Sequence, residues 1–175
     1  MPLNIEIKAK CQSPDRIHEI LNAQNAEYRG EDHQIDTYFK VPHGRLKLRE
    51  GRIENHLIHY FRDNQAGPKK SEVLLFKTDP GSNLKTILTT ACGILTVVDK
   101  KRSIYYIENV KFHVDDVQGL GRFVEIEAID TDGNLSERHL LEQCEYFMRQ
   151  LQIEPADLLD VSYSDLLLQK QQSPE

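Results

Sequence analysis

Cysteine is scarce in this 175-residue chain: Cys11, Cys92 and Cys144 are odd in number and far apart. Without a C-x-x-C pair they argue against a zinc ribbon and a disulfide framework, and a reducing, cytoplasmic setting suits them. Free cysteines of this kind serve as small buried fillers. Long hydrophobic runs are absent as well, so nothing approaches membrane-spanning length. Glu6, Lys8 and Lys10 interrupt what would have to be the apolar stretch of a signal peptide. An excess of positive charge is also missing. The formal net charge is −6 with 29% charged residues, which speaks against a nucleic-acid partner, so any bound anion must meet a local basic site. There is no internal repeat and no low-complexity linker. A 39% apolar chain of this length suits one domain, placed at residues 1–168, with a polar, frayed tail at 169–175.

What is present is alternation. Leu3, Ile5, Ile7 and Ala9 share one parity and Asn4, Glu6, Lys8 and Lys10 the other, which predicts a strand with one apolar and one polar face. Ser13-Pro14 then offers an N-cap and a first-turn proline before Ile17, Ile20 and Leu21, so a short helix follows. Further strands are expected near 35–40, 45–50, 56–62, 72–78, 97–107, 110–116 and 122–129, separated by turn-forming clusters such as His43-Gly44 and Asp79-Pro80-Gly81. A helix from Ser82 to Gly93 interrupts them, and Ser136 opens a stronger one with Leu140, Leu141, Cys144, Phe147, Met148 and Leu151 as its apolar stripe. Eight strands are enough to close a barrel, so the expected class is α+β: a closed eight-stranded antiparallel β-barrel with flanking helices.

The chemistry lies in what shares a strand face. Glu6 pairs with Lys8, Arg45 with Lys47 and Arg49, Lys100 with Arg102, His113 with Asp115, and Glu125 with Glu127, while Arg62 stands on a sixth strand. Any one such face could simply meet water. The opposite parities, however, carry Leu46, Leu48, Val124, Ile126 and the first strand's apolar row, which helices could cover from outside. The charged faces then become the lumen. Seven bases (Lys8, Arg45, Lys47, Arg49, Arg62, Lys100, Arg102) face four acids (Glu6, Asp115, Glu125, Glu127) there, a formal +3 in a protein of −6. Unpaired buried charge is costly, so this lining calls for ligands: carboxylates for hard divalent cations, bases for phosphate oxygens. A nucleoside or organic triphosphate with Mg²⁺ or Mn²⁺ satisfies both, and oxygen-only ligation favours those metals over zinc.

The opening Asn4-Ile5-Glu6-Ile7-Lys8 resembles the Glu-x-Glu-x-Lys strand of CYTH proteins, the triphosphate tunnel metalloenzymes. Lys100-Lys101-Arg102-Ser103-Ile104-Tyr105, with Asp115 and the Gly119-Leu120-Gly121-Arg122-Phe123-Val124-Glu125-Ile126-Glu127 hairpin, is similar to class IV adenylate cyclases. The resemblance implies metal-binding carboxylates at Glu6, Glu125 and Glu127, with Asp115 associated with them. It implies phosphate-binding bases at Lys8, Arg49, Arg62, Lys100 and Arg102; Arg45 and Lys47 join them by strand parity alone. It further implies catalytic roles for Glu6, Lys8, Arg102 and Asp115, and a homodimer. Asn4 departs from the pattern, standing where the first glutamate of the signature would be.

Other signals carry less. Gly119-Leu120-Gly121 leads into a strand and lacks a third glycine, so it reads as a hairpin turn rather than a dinucleotide loop. His56 and His59 fall on opposite faces of one strand and are expected to be exposed. Three functions fit: a cyclase making cyclic AMP and pyrophosphate from ATP, a triphosphatase acting on thiamine, inorganic or nucleoside triphosphate, and a non-catalytic polyphosphate-binding module. The resemblance of the second half favours the first.

Overall fold

The computed structural model describes residues 3–62 and 64–172. Its strands are β1 (Leu3–Lys10), β2 (Glu27–Phe39), β3 (Arg45–Glu50), β4 (Asn55–Arg62), β5 (Lys69–Lys77), β6 (Ile94–Ile107), β7 (Val110–Val117) and β8 (Gly121–Ile129). The helices are α1 (Pro14–Ala23), α2 (Leu84–Cys92), α3 (Glu137–Gln150) and α4 (Tyr163–Gln172). The strands close a ring in the order β1-β5-β4-β3-β2-β6-β7-β8, each pair antiparallel. Closure gives every strand a paired neighbour on both sides, so no whole strand is left as a sheet edge. No helix among the described residues is long and apolar enough to cross a membrane.

Alternation decides what faces outward. Ile5, Ile7 and Ala9 of β1, Phe112 and Val114 of β7 and Val124, Ile126 and Ala128 of β8 form one buried cluster with Ile17 and Leu21 of α1 and Leu140, Cys144 and Phe147 of α3. The expected helical cover is therefore there, over the barrel's outside. Each fully buried Leu or Phe in this layer is worth about 1.5–3 kcal/mol relative to exposure. Ser136 caps α3 by accepting the His139 amide at 3.1 Å. Cys11 and Cys144 are buried as expected, whereas Cys92 is only half-buried.

Two elements depart from expectation. β2 begins at Glu27 rather than near 35, because its first half buries polar residues (Asp32 and Gln34 are fully enclosed) and so hides the apolar signal of a strand. A register shift between Tyr28 and Gly30, with Gly30 at φ 117°, bends it there. The second departure is α4, where a polar, frayed tail was expected from 169. The helix continues to Gln172, and residues 173–175 lie outside the described range. Tyr163 at its start packs with Tyr38, Tyr60, Val98, Val117 and Phe123 in a second buried cluster, which fills one end of the barrel.

Candidate active site

The inner parity of the eight strands encloses a cavity of about 490 Å³. Glu6, Lys8, Lys47, Arg49, Arg62, Lys100, Arg102, Glu125 and Glu127 all line it. Two expected residues do not. Arg45 sits at the rim, bonded to Asp165 of α4 at 2.6 Å, and Asp115 lies behind Arg102, 1% exposed. Lys111 and Glu54 line the cavity instead, so seven bases still face four carboxylates, a formal +3 among the described residues. His56 also lines it and is half-buried, against the expectation of exposure; His59 points the other way, to the His43 carbonyl at 2.9 Å. The Gly119–Gly121 segment is the expected turn between β7 and β8, with both glycines at positive φ.

The bases are held by carboxylates set behind them. Arg49 donates twice to Asp36, at 2.9 and 2.8 Å, and Lys100 donates to the same carboxylate at 2.7 Å. Lys47 stands 3.5 Å from it. Burial would raise the Asp36 carboxyl, but Arg49 and Lys100 outweigh it and hold its pKa well below the ordinary value. Arg102 makes the same bidentate contact with Asp115, at 2.8 and 2.7 Å, and reaches Glu125 at 3.4 Å. The Tyr163 hydroxyl donates to Asp115 at 2.7 Å, so α4 supports the Arg102 anchor from outside the strands. The Lys8 ammonium lies 3.8 Å from the centre of the Tyr163 ring and 3.6 Å from Glu125. Burial pushes Lys8 down to about 8, with Glu125 opposing the shift.

The acids are not equivalent. Arg62 donates to Glu6 at 2.6 Å and outweighs burial there, keeping its carboxyl below the ordinary value. Glu125 is likewise held low, by Arg102 and Lys8 against its burial. Burial and the nearby charge of Glu6 push Glu127 up to about 7. Among the described residues its side-chain donor is Asn4, whose amide contacts it at 2.6 Å, while the Asn4 carbonyl oxygen is buried with no hydrogen-bond partner among them. His113, 3.2 Å from Glu125, is pushed down to about 4 by burial and Arg102, so it is neutral at pH 7. Among the described residues no three His, Cys, Asp or Glu side chains converge as a ready-made metal cage. The donor chemistry nevertheless suits a hard cation: the carboxylates of Glu6, Glu125 and Glu127, whose burial and mutual repulsion a cation would relieve, stand beside the Asn4 carbonyl oxygen.

Several of these residues were beyond the strand-by-strand reading. Asp36 shares parity with Tyr38 inside the expected strand 35–40 and faces Arg49 across β2–β3, so its signal was present in the sequence but was passed over. Lys111 is two residues before His113 and shares its face. Glu54 has no such signal. It is delivered by the β3–β4 turn, which Asp32 ties down by accepting the amides of Arg52, Ile53 and Glu54 at 2.7–3.1 Å. A Cβ on Gly51 would sit 2.5 Å from the Asp32 carboxylate, so that turn needs glycine.

The sequence profile of the CYTH domain matches residues 2–163. The chain belongs to the CYTH domain family. A protein of Methanocaldococcus jannaschii that carries the provisional name adenylate cyclase is 25% identical over 179 residues, covering 94% of this chain and 98% of that one. A conserved hypothetical protein from Pyrococcus furiosus superposes with a TM-score of 0.77 at 24% identity, covering 93% and 99% of the two chains. A Hippeastrum adenylyl cyclase candidate, described as having a dominant triphosphatase activity, superposes at 0.60 with 16% identity over 98% and 97%. The closed eight-stranded ring is thus the CYTH fold.

Proposed function

We propose that this CYTH domain binds a nucleoside or organic triphosphate with Mg²⁺ or Mn²⁺ in its tunnel and, in the manner of a class IV adenylate cyclase, converts ATP to cyclic AMP and pyrophosphate. The observation that carries the proposal is a single cavity inside the closed ring, in which Lys8, Arg49, Lys100 and Arg102 stand with the carboxylates of Glu6, Glu125 and Glu127. Phosphate oxygens would take the outward-facing donors of Arg49 and Arg102, while Asp36 and Asp115 keep each guanidinium aimed at the cavity. Burial depresses both Lys8 and Lys100, and an arriving polyanion would favour their charged forms. Arg102 and Lys100 would stabilise the charge that accumulates on pyrophosphate as it leaves. A divalent cation held by Glu6, Glu125 and Glu127 would neutralise phosphate oxygens and acidify the attacking hydroxyl. In the reaction the ribose 3′-oxygen bonds to the α-phosphorus, the bond from that phosphorus to the bridging oxygen breaks so that pyrophosphate leaves, and the hydroxyl proton is lost to solvent.

The similarity to the Methanocaldococcus protein supports the cyclase reading. A triphosphatase is the second reading, favoured by the activity described for the Hippeastrum neighbour: the same cradle would direct water at the terminal phosphorus. Phosphorus NMR of reactions with ATP, thiamine triphosphate and tripolyphosphate separates them. Cyclic AMP and pyrophosphate, without orthophosphate, are expected from ATP. Orthophosphate from tripolyphosphate with no cyclic nucleotide reverses the order, and no phosphorus chemistry leaves a binding module.

A further inference from the structure

One strand of the ring outruns its neighbour. β5 is paired along β4 from Ser71 to Lys77, but along β1 its pairing stops at Glu72, opposite Leu3, where β1 begins. On that side residues 73–77 have no strand beside them among the described residues, so the backbone groups that point there form a short open edge. The side chains of the edge are as uncovered as its backbone. Leu74 is 51% exposed, Leu75 63% and Phe76 67%, and Phe61 of the adjoining β4 adds a further exposed ring. The helices pack chiefly on other strands: α3 on β1 and β8, α1 on β8, α2 on β2 and α4 on β6. Open edges in natural proteins are usually guarded by charge, proline or a bulge. Val73, Leu74, Leu75 and Phe76 offer none of these, and their register with β4 runs without a shift.

Such an edge is a template for one more strand, and its own sequence selects which. The unpaired stretch 73–77 has Leu75 at its centre. A second copy laid antiparallel about a two-fold axis at Leu75 sets Leu75 against the partner's Leu75, Val73 against the partner's Lys77, and Leu74 against the partner's Phe76. Opposed positions then have equal parity, so outer face meets outer face and two aliphatic–aromatic pairs form across the junction. Charge selects the same occupant. Each copy carries −6, which sets two copies repelling over most of their surfaces, whereas the one charged residue within 73–77 is Lys77, and it meets Val73. We infer that β5 is the junction of a homodimer, in which the open edge 73–77 of each protomer pairs antiparallel with that of the other about a two-fold axis at Leu75. Leu74, Leu75, Phe76 and Phe61 together expose roughly half of the 800 Å² or so that a standard interface buries per partner. The dimer is therefore a reversible one, with a Kd in the micromolar range. The junction is independent of what the tunnel binds.

Sedimentation equilibrium of the full chain in reducing buffer, over a concentration series spanning the micromolar range, tests this. The wild type is expected to show a monomer–dimer equilibrium. Phe76→Lys is expected to raise its Kd at least about tenfold, because it buries an ammonium against the partner's Leu74. Tyr146→Lys, on an exposed site of α3 away from β5, should leave the Kd within about twofold. Opposed Cα atoms of an antiparallel ladder lie about 4.5–5.5 Å apart, within a disulfide's reach. Leu75→Cys in a Cys92→Ser background is therefore expected to give a covalent dimer with oxidised glutathione, and Tyr146→Cys in the same background none. Leu75 and Phe76 are exposed, so both variants fold. A wild type that stays monomeric throughout, one that forms assemblies larger than a dimer, or a dimer whose Kd is unchanged by Phe76→Lys overturns the junction. A dimer that Leu75→Cys does not cross-link overturns the pairing about Leu75, and the proposal with it.

Discussion

Asp36 receives two donors from Arg49 and one from Lys100 and is fully buried, so replacing it with asparagine keeps the volume and removes the charge that three bases share. Breaking a buried ion pair from one side leaves an uncompensated charge and typically costs about 3–5 kcal/mol. We predict a loss of that size for Asp36→Asn, read from urea unfolding at pH 7 in EDTA. The pH dependence has a definite sign. A carboxyl whose folded pKa lies below its unfolded value stabilises the fold above the unfolded value, near pH 4, and that contribution is lost as the pH falls toward the folded one. The variant's stability is therefore expected to change less in acid than the wild type's. Ligand should partly replace the missing carboxylate. A ligand at 100 times its Kd stabilises by about 2.7 kcal/mol, and the variant should gain more than the wild type from one fixed tripolyphosphate concentration. A loss below about 1 kcal/mol, or an equal gain from ligand, would refute the view that Asp36 organises the bases.

Four further outcomes are expected. Glu6→Ala and Glu125→Ala should each abolish Mn²⁺ binding by calorimetry, and unchanged affinity in both would remove them from a metal site. Arg102→Ala should weaken tripolyphosphate binding by about 1.5–3 kcal/mol, the worth of a hydrogen bond to a charged group; wild-type affinity would mean its donors never meet phosphate. Asn4→Glu sets a carboxylate where the amide now donates to Glu127 at 2.6 Å, so it should destabilise the metal-free protein and tighten Mn²⁺ binding; a variant as stable as wild type in EDTA would contradict this contact. Because Glu127 is raised to about 7, the folded state holds its proton longer than the unfolded chain. Stability is then lost as pH rises from the ordinary carboxyl value through about 7, and Glu127→Gln should unfold at higher urea than wild type at pH 8 in EDTA but not at pH 4.

Much of the barrel was legible because period-two alternation survives wherever one strand face is apolar, as in β1 and β8. The start of β2 was not, since Asp32 and Gln34 bury polar groups on the inner face and the outer face is polar as well. The candidate site divides in the same way. Lys8, Arg49, Lys100, Arg102, Glu6, Glu125 and Glu127 share parities that sequence displays, but Asp36 and Asp115 act as anchors behind the bases, a distinction that only packing makes. Arg45 has the right parity and the wrong height, ending at the rim beside Asp165. Tyr163 was hidden because the helix that carries it is weakly amphipathic and shows no stripe to mark its first residue as buried.

The central claim is that the charged interior, not an outer face, receives the metal and the triphosphate. A crystal structure with Mn²⁺ and α,β-methylene ATP, located by the anomalous signal of manganese, tests it most directly. The account predicts manganese beside Glu6 and Glu125 and phosphate oxygens within hydrogen-bond distance of Arg49, Lys100 and Arg102, inside the closed ring. Manganese and nucleotide bound outside the barrel, with Arg102 still held by Asp115 and no density in the tunnel, would contradict it.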